Sequence, residues 1–190
     1  VQISGSVNII AIGSPSNSDN GTNSGQVRVF EFYNGDWVQM GQDINGESNG
    51  DFSGGAISLN NFGNIIAIGA KRNDGNGSNA GHVRVFEYIN NTWTQIGQDI
   101  DGSSAGDQSG YSVSLNGLGN RIAIGSYLNS DSLIESGHVR VFYFDSNLWH
   151  QIGDDIYGEF ANDWSGRSVA LNEIGDKLAI GADLNDGNGA

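Results

Sequence analysis

The sequence predicts an all-β fold made of short antiparallel sheets, and three observations predict it. The first is a repeat: GQVRVF at residues 25–30 returns as GHVRVF at 81–86 and at 137–142, 56 residues apart each time. The second is composition, because 30 glycines and a single proline suit a folded chain with many turns. The third is that no window places apolar residues at the i, i+3, i+4, i+7 spacing of an amphipathic helix.

The repeat extends over nearly the whole chain. WVQMGQDINGE begins at Trp37, WTQIGQDIDGS at Trp93 and WHQIGDDIYGE at Trp149, and a further shared block begins at Ser53, Ser109 and Ser165. The spacing is always 56 residues, without insertion or deletion. Self-similarity at a fixed period indicates that one structural unit is built several times.

Each repeat contains four strand signals, which the third repeat illustrates. They are SVSL at 112–115, RIAIG at 121–125, HVRVFYF at 138–144 and LWHQIGDDI at 148–156. The segments NGLGN and DSN join neighbouring strands with turn-forming residues. Short runs of β-branched and aromatic residues between such turns predict antiparallel hairpins.

Four antiparallel strands in a repeat of this length are typical of a β-propeller blade. The apolar second strand favours the same interpretation, because neighbouring blades cover both of its faces. We therefore predict four-stranded antiparallel blades of 56 residues, with about three and a half blades of a longer, seven-bladed ring. The blades would span residues 1–50, 51–106 and 107–162, with half a blade at 163–190. A β-solenoid is the alternative.

The charge of the chain limits the classes of partner. The sequence has 22 acidic and 8 basic residues and a formal net charge of −14. This balance argues against nucleic acid, which rewards basic patches. No apolar run reaches the length of about 18 residues that spans a bilayer, so we expect no membrane insertion. The absence of cysteine excludes disulfides and thiolate metal sites.

Motifs within the repeats resemble the FG-GAP repeat of integrin α-subunit propellers and their microbial relatives. Gly13-Ser14-Pro15 is the best match to the Gly-Ala-Pro element of that family, and Ser53-Gly54 stands where its Phe-Gly element would be. The resemblance implies a secreted or cell-surface protein active in cell adhesion, and calcium bound between the first two strands of a blade. Those positions here are residues 60–64, 116–120 and 172–176, where mostly Asn and Gly replace Asp, so we interpret them as hairpin turns.

The loop after the second strand of each repeat is a second candidate for calcium. Asp and Asn are crowded at 17–23, 73–79, 129–135 and 185–189, and oxygen ligands of this kind suit calcium. The candidate ligands are Asp19, Asp74, Asp131 and Asp186. The alternative is a flexible polar loop stabilised by Asx turns.

Two sets of aspartates recur in every full repeat. One set is Asp43, Asp99 and Asp155; the other is Asp51, Asp107 and Asp163. Paired carboxylates can serve glycoside hydrolysis, but recurrence in every repeat favours a structural role. We expect these acids to pair with the arginines of the VRVF motif, which are Arg28, Arg84 and Arg140. No catalytic residue is predicted.

Two histidines occupy the same slot of the repeat. His82 and His138 are equivalent to Gln26, and a position that accepts Gln argues against a general base or metal ligand. The regularly placed Trp37, Trp93 and Trp149 are expected to pack between blades.

The loops after the second strands, at 14–24, 70–80 and 126–136, are the predicted variable rim. Residues that depart from their repeat equivalents are the candidates for binding a ligand there: Trp164, Leu133, Ile134, Tyr127, Lys71 and Arg72. Three asparagines, Asn20, Asn76 and Asn90, match the N-glycosylation pattern.

From these features we expect a non-catalytic binding or scaffold module, not an enzyme. It would be extracellular or on the cell surface and would present its loops to a protein or glycan partner, including carbohydrate. The alternative is a structural repeat protein that assembles into an extracellular filament or surface layer. A hydrolase carried on a propeller is the third candidate. The open half-blade would expose a strand edge, through which copies can self-associate.

Overall fold

The computed structural model describes residues 1–5 and 8–187, which form four antiparallel sheets and no helix. Sheet one contains β1 (Gln2–Ile3), β2 (Ile9–Ser14), β3 (Gln26–Tyr33), β4 (Asp36–Gln39) and β5 (Ile44–Asn45). Sheet two contains β6 (Ala56–Leu59), β7 (Ile65–Ala70), β8 (His82–Ile89), β9 (Thr92–Gln95) and β10 (Ile100–Asp101). Sheet three contains β11 (Ser112–Leu115), β12 (Arg121–Ser126), β13 (His138–Asp145), β14 (Leu148–Gln151) and β15 (Ile156–Tyr157). Sheet four contains β16 (Ser165–Leu171) and β17 (Leu178–Ala182).

The predicted all-β class is confirmed, with sheets of the antiparallel kind that the repeat indicated. In sheet three the order is β11-β12-β13-β14, and sheets one and two repeat this meander. The register also repeats: Ile124 lies opposite Arg140 in sheet three, as Ile68 lies opposite Arg84 in sheet two. Within the described part of the chain, no helix has the length and apolarity required to cross a bilayer.

The outermost strand differs from the prediction. LWHQIGDDI was expected to be one strand over 148–156, but the structure divides it into β14 and β15, which both pair with β13. Gly153 lies between them with φ at 69°, a left-handed conformation that glycine adopts without strain. The chain therefore bulges out over 152–155 and returns to β13 near its beginning.

Neighbouring sheets are joined where glycine allows the backbones to approach. The first strands of successive sheets lie beside one another, and we call the side of the molecule that they form the inner edge. A Cβ added to Gly69 would lie 2.1 Å from the carbonyl oxygen of Gly110 in the next repeat, so no side chain fits there. Gly25 also makes a parallel bridge to Ser53 of the next repeat.

Tryptophan joins the sheets farther out, as the sequence predicted. Trp93 is 3% exposed, and its indole Nε1 donates a hydrogen bond of 2.8 Å to the carbonyl of Met40 in sheet one. Trp149 makes the equivalent bond to Ile96. Trp37 begins the series on the outer face of sheet one and is 47% exposed. The buried core thus lies between the sheets, around the second and third strands.

Candidate functional site

An inner cleft of about 340 Å³ opens where the first strands begin. At this end of the molecule the second strands end, the third strands begin and the chain passes from one sheet to the next. The backbone at Gly54 and Gly55 forms part of the lining of the cleft, and the largest polar side chains that line it are those of Tyr111 and Arg167. Tyr111 immediately precedes β11, and Arg167 lies in β16, so two neighbouring sheets supply them.

Positive charge and aromatic rings gather beside this cleft. We call the following residues the cationic–aromatic cluster: Lys71, Arg72, Tyr111, Tyr127, Trp164 and Arg167. Three of the eight basic residues of a chain with net charge −14 therefore lie in one place. Such a concentration of cations creates a local positive potential that favours an anionic ligand.

The cations of Lys71 and Arg167 lie over the faces of the aromatic rings. The ammonium Nζ of Lys71 lies 4.7 Å from the centroid of the Tyr111 ring. The Arg167 guanidinium lies 5.0 Å from the centroid of the Trp164 ring and 5.7 Å from that of Tyr127. These separations are those of cation–π contacts, which fix the cations without neutralising them.

The rings themselves are packed together. The centroids of Tyr111 and Tyr127 are 4.3 Å apart, and Trp164 meets Tyr127 edge-on at 5.6 Å. The indole Nε1 of Trp164 donates to the Glu135 carboxylate at 3.1 Å. A second carboxylate also reaches the cluster, since Asp183 Oδ2 lies 3.3 Å from Arg167 Nε. The aromatic side of the cluster is therefore closely packed, and its three cations outnumber the two carboxylates that contact it.

The backbone at the cluster adopts a conformation that is rare for bulky residues. Trp164 has φ at 56°, and its repeat equivalents Phe52 and Gln108 both have φ at 54°. Left-handed backbone at non-glycine residues is costly and concentrates at functional sites. In each repeat the serine that follows this residue forms a parallel β-bridge to the preceding repeat. For Trp164 that serine is Ser165, which pairs with Gly137. The turn therefore fixes where the side chain at position 164 stands.

Electrostatics change the protonation of two cluster residues. Burial lowers the pKa of the Lys71 ammonium below its usual 10.5, and the charges of Arg72 and Arg167 lower it further. Burial also raises the pKa of the Tyr127 hydroxyl above 10.0. Lys71 thus releases its proton more readily than an ordinary lysine, while Tyr127 keeps its own.

The structure brings together four of the six predicted rim candidates. Lys71, Arg72, Tyr127 and Trp164 all belong to the cluster. Leu133 and Ile134 do not: they lie exposed in the loop before β13, 44% and 70% accessible. Sequence reasoning missed Tyr111 and Arg167. Their signal was present, because the equivalent positions 55, 111 and 167 hold Gly, Tyr and Arg in otherwise similar repeats.

A second polar site lies farther from the inner edge, between sheets one and two. This interrepeat pocket, of about 550 Å³, is lined by Glu47 of the first repeat and by His82 and Asp99 of the second, among other residues. Each of these three side chains can offer one ligand atom, and the three atoms lie within 4.8 Å of one another. The group could therefore hold a metal ion. The sequence argument against His82 as a ligand compared it with Gln26 alone and did not foresee Glu47 beside it.

The predicted pairing of arginines with the recurrent aspartates needs correction. Arg84 makes its salt bridge with Glu47, at 3.2 Å, and donates to the carbonyl of Asn45 at 2.8 Å. Arg140 donates to the carbonyl of Asp101 at 2.5 Å. Arg28 is exposed and lies over the ring of Phe30. The arginines thus reach back to the preceding sheet, and Arg28 has no such sheet on its side among the described residues.

The aspartates before the SG motif stabilise turns instead. Asp51 accepts hydrogen bonds from the Ser48 amide at 3.0 Å and from the Asn73 side chain at 3.1 Å. Asp107 makes the equivalent bonds with the Ser104 amide and the Asn129 side chain. Asp163 makes them with the Phe160 amide and the Asn185 side chain. Burial raises the pKa of Asp107 above its usual value. These carboxylates join two loops of neighbouring repeats and serve the fold.

The aspartates proposed as calcium ligands lie in four separate loops. Asp19 and Asp131 accept hydrogen bonds from Asn17 and Asn129 of their own loops, at 3.0 and 2.9 Å. Asp74 accepts the Asn79 amide at 2.7 Å. Asp186 stands beside the hollow at 160–163, and residues 188 and 189 of its loop lie outside the described residues. The asparagines of these loops also make Asx turns, since Asn17 Oδ1 accepts the Asp19 amide at 2.9 Å and Asn129 Oδ1 accepts the Asp131 amide at 3.1 Å, as the alternative interpretation expects.

The turns between first and second strands are hairpin turns, as predicted. The Asn60 Oδ1 atom accepts the amides of Asn64 and Ile65, both at 3.1 Å, and Asn116 and Asn172 take equivalent roles. Among the N-glycosylation candidates, Asn20 and Asn76 donate their side-chain nitrogens to the carbonyls of Gly46 and Gly102. Asn90 is exposed at the tip of the hairpin between β8 and β9.

Comparison with known proteins supports the fold. The chain is similar to the crystal structure of a protein from Bacteroides uniformis assigned as a 6-phosphogluconolactonase, with a TM-score of 0.60 and 13% identity. That match covers 94% of this chain and 45% of the other. It is also similar to the periplasmic gluconolactonase of Pseudomonas aeruginosa, with a TM-score of 0.54 and 15% identity, over 91% of this chain and 46% of that one.

The chain thus spans about half the length of the solved structures it matches. No protein-family model matches the sequence, and no curated protein matches it. At this level of identity the likeness shows the fold alone, which is β-propeller-like.

These comparisons correct the functional expectation. The solved structures that share the fold are described as lactonases, which are enzymes, and neither is described as an adhesion protein. The prediction of a non-catalytic binding or scaffold module, with its adhesion and carbohydrate-binding roles and its structural alternative, is therefore wrong. Its physical weakness was that it transferred function along a fold resemblance, whereas function depends on the site. The resemblance to FG-GAP repeats itself stays a prediction.

Proposed function

We propose that this chain forms part of a hydrolase that opens the ester ring of an anionic sugar lactone at the inner cleft. The observation that carries the proposal is the cationic–aromatic cluster. An acidic chain places the charges of Lys71, Arg72 and Arg167 near one another, and Arg167 lines the cleft, where cations attract a negatively charged substrate. The proteins of similar fold, described as lactonases, supply the reaction class.

The proposed reaction adds water across the acyl C–O bond of the lactone. The water oxygen bonds to the carbonyl carbon, the ring oxygen leaves and takes up a proton, and the new carboxylic acid releases one proton. Negative charge develops on the carbonyl oxygen, and fixed cations stabilise that charge best when they are already in place. The Arg167 guanidinium, held over Trp164 at 5.0 Å, suits this role.

Lys71 adds a second cation to this site. Burial and its cationic neighbours lower the pKa of its ammonium below the usual 10.5. As a cation it can donate charge-assisted hydrogen bonds to an anionic substrate, so we assign it to binding. The Tyr111 ring positions this nitrogen at the edge of the cleft.

The proposed substrate class is a sugar lactone with a phosphate group. Arginine guanidinium groups bind phosphate through paired, charge-assisted hydrogen bonds. Aromatic rings such as Trp164 and Tyr127 can contact the apolar face of a sugar beside them. A lactone without the phosphate would use only part of the cluster.

We also propose that the sheets are blades of a seven-bladed β-propeller. Trp37 is 47% exposed at the position where Trp93 and Trp149 are 3% exposed. At the other end, Ile152 is 40% exposed where its equivalent Ile96 is 9% exposed. Both end faces have the shape of an interface between blades, and three and a half blades match a chain that spans about half of its structural neighbours.

The hydrolase proposal is tested by two arginine variants assayed for hydrolysis of 6-phosphogluconolactone. Arg167→Gln removes a cation from the cluster, and Arg28→Gln is the matched control, because Arg28 also lies over an aromatic ring but on the outer face. We expect Arg167→Gln to lower kcat/KM by about tenfold or more, because it removes a cation that stabilises the developing negative charge, and Arg28→Gln to leave kcat/KM unchanged. Equal kinetics in both variants would contradict the proposal.

A further inference from the structure

The interrepeat pocket contains a buried histidine whose ring lies between two carboxylates. His82 is 2% exposed, and its Nε2 atom has no hydrogen-bond partner. The Nε2 atom lies 4.0 Å from Glu47 Oε2, and the Nδ1 atom lies 3.8 Å from Asp99 Oδ2. A buried ring nitrogen without a partner is costly, so a ligand that it can bind is expected to stabilise the pocket.

Neighbouring side chains orient both carboxylates. The Arg84 Nη1 atom contacts the other Glu47 oxygen, Oε1, at 3.2 Å. The Gln95 Nε2 atom donates to the other Asp99 oxygen, Oδ1, at 2.6 Å. In each carboxylate, one oxygen is thus fixed by a neighbour while the other faces the imidazole. Metal sites commonly orient their ligands by such outer contacts.

The charge of the pocket suits a divalent cation. Asp51, Asp74 and Asp101 also line it, so the surroundings are strongly acidic despite the single Arg84 charge. Such a concentration of carboxylates around one imidazole favours a bound cation.

We propose that Glu47, His82 and Asp99 bind a first-row divalent transition metal of the Zn²⁺ type, which joins the first repeat to the second. One imidazole nitrogen and two carboxylate oxygens are a ligand set for such ions, whereas Ca²⁺ and Mg²⁺ prefer oxygen alone. The site is separate from the inner cleft and does not depend on the proposed hydrolysis. Its role is structural, because Glu47 comes from the connection after sheet one and the other two ligands from sheet two.

The third repeat provides a matched control within the same molecule. His138 is fully buried, and its Nδ1 atom lies 3.2 Å from Asp155 Oδ2, so this pocket has the same histidine and the same aspartate. Position 103 is the repeat equivalent of Glu47, 56 residues later, and it holds serine. The pocket around His138 therefore lacks the third ligand that the interrepeat pocket has.

The test is the number of Co²⁺ ions bound per chain, measured by equilibrium dialysis and elemental analysis, with Co²⁺ as the probe for a Zn²⁺-type site. We expect one ion in the unmodified protein and about tenfold or more weaker binding in Glu47→Gln, an exposed position where unfolding is not expected. His82→Gln should lose the ion, and Gln26 shows that the repeat accepts glutamine at this position. Ser103→Glu should raise the number to two.

The unfolding temperature gives an independent readout. Binding to the folded state should raise the melting temperature of the unmodified protein when Co²⁺ is added, and should leave that of His82→Gln unchanged. The proposal would be overturned if the unmodified protein did not take up Co²⁺, or if Glu47→Gln and His82→Gln took up as much Co²⁺ as the unmodified protein.

Discussion

The ammonium Nζ of Lys71 lies 4.7 Å above the ring of Tyr111, although the two residues belong to different repeats. Lys71 follows the second strand of sheet two, and Tyr111 precedes the first strand of sheet three. The contact exists because successive first strands lie side by side along the inner edge. Residues that are distant in sequence therefore form one cationic surface, and the following predictions start from that surface.

The first prediction concerns the pH dependence of anion binding. The pKa of Lys71 is lowered in the folded protein, so its positive charge is present below that lowered pKa and is lost at a pH below the usual 10.5. Affinity for 6-phosphogluconate, the product of the proposed reaction, should therefore fall with rising pH, and the fall should begin at a lower pH than the usual lysine pKa of 10.5 would give. Lys71→Arg should move this fall to higher pH, because arginine stays charged.

Calorimetric titration of both proteins at rising pH is the check. If the affinity of the unmodified protein does not change below about pH 10, Lys71 does not contribute its charge to the anion site.

The second prediction concerns acid stability. Burial first, and then the Arg140 charge, lower the pKa of His138 from 6.5 to about 4. Below about pH 6.5 the unfolded chain therefore binds a proton at this histidine, whereas the folded chain binds it only near pH 4. The folded protein loses stability as the pH falls from 6.5 to about 4. The difference of about 2.5 units corresponds to about 3 kcal/mol of unfolding free energy.

His138→Gln should remove this part of the acid sensitivity, because glutamine does not titrate and Gln26 occupies the equivalent position. The measurement is urea unfolding of both proteins near pH 7 and near pH 4. Equal losses of stability in the two proteins would show that His138 is not the titrating group.

The sequence was sufficient for most of the strands and for the tryptophan contacts between sheets, because the repeat has a physical cause. Trp93 and Gly69 recur at fixed positions because every interface between sheets makes the same demand, so a repeated residue indicates a repeated contact. The divided outer strand was not foreseen, because the left-handed Gly153 is one of many glycines in this chain and its neighbours have ordinary strand residues.

The site was only partly accessible to sequence reasoning. Lys71 and Trp164 stood out because they depart from their repeat equivalents. Arg167 departs just as clearly, but it lies within the strand signal SGRSVAL, and only the arrangement of first strands shows that its side chain meets Trp164. Similarly, Glu47 and His82 are 35 positions apart, and no spacing rule links them before the sheets are placed.

The third prediction tests the packing of sheets through tryptophan. Trp93→Ala should destabilise the protein by about 3–5 kcal/mol, because it leaves a cavity and removes the donor to the Met40 carbonyl. Trp37→Ala is the control at the equivalent position on the outer face, and it should cost less than about 1 kcal/mol. Urea unfolding monitored by circular dichroism compares the two, and equal costs would contradict the assigned interface.

The fourth prediction tests the close approach of backbones. Gly69→Ala places a methyl group 2.1 Å from the Gly110 carbonyl oxygen, so the two repeats must separate, and we expect a loss of about 2 kcal/mol or more. Gly181→Ala is the equivalent change in the fourth repeat, where the nearest atom is the movable side chain of Ser168. It should cost less than about 1 kcal/mol, and thermal unfolding of both variants decides the point.

The most direct test of the central claim is the preference of the protein between two lactones. Proton release is followed as it hydrolyses 6-phosphogluconolactone and gluconolactone, each corrected for spontaneous hydrolysis. Because the cationic–aromatic cluster is proposed to bind the phosphate, we expect kcat/KM for the phosphorylated lactone to be about tenfold or more higher. Equal values for the two substrates, or no hydrolysis above the spontaneous rate, would contradict the assignment of the inner cleft as the site of an anionic lactone hydrolase.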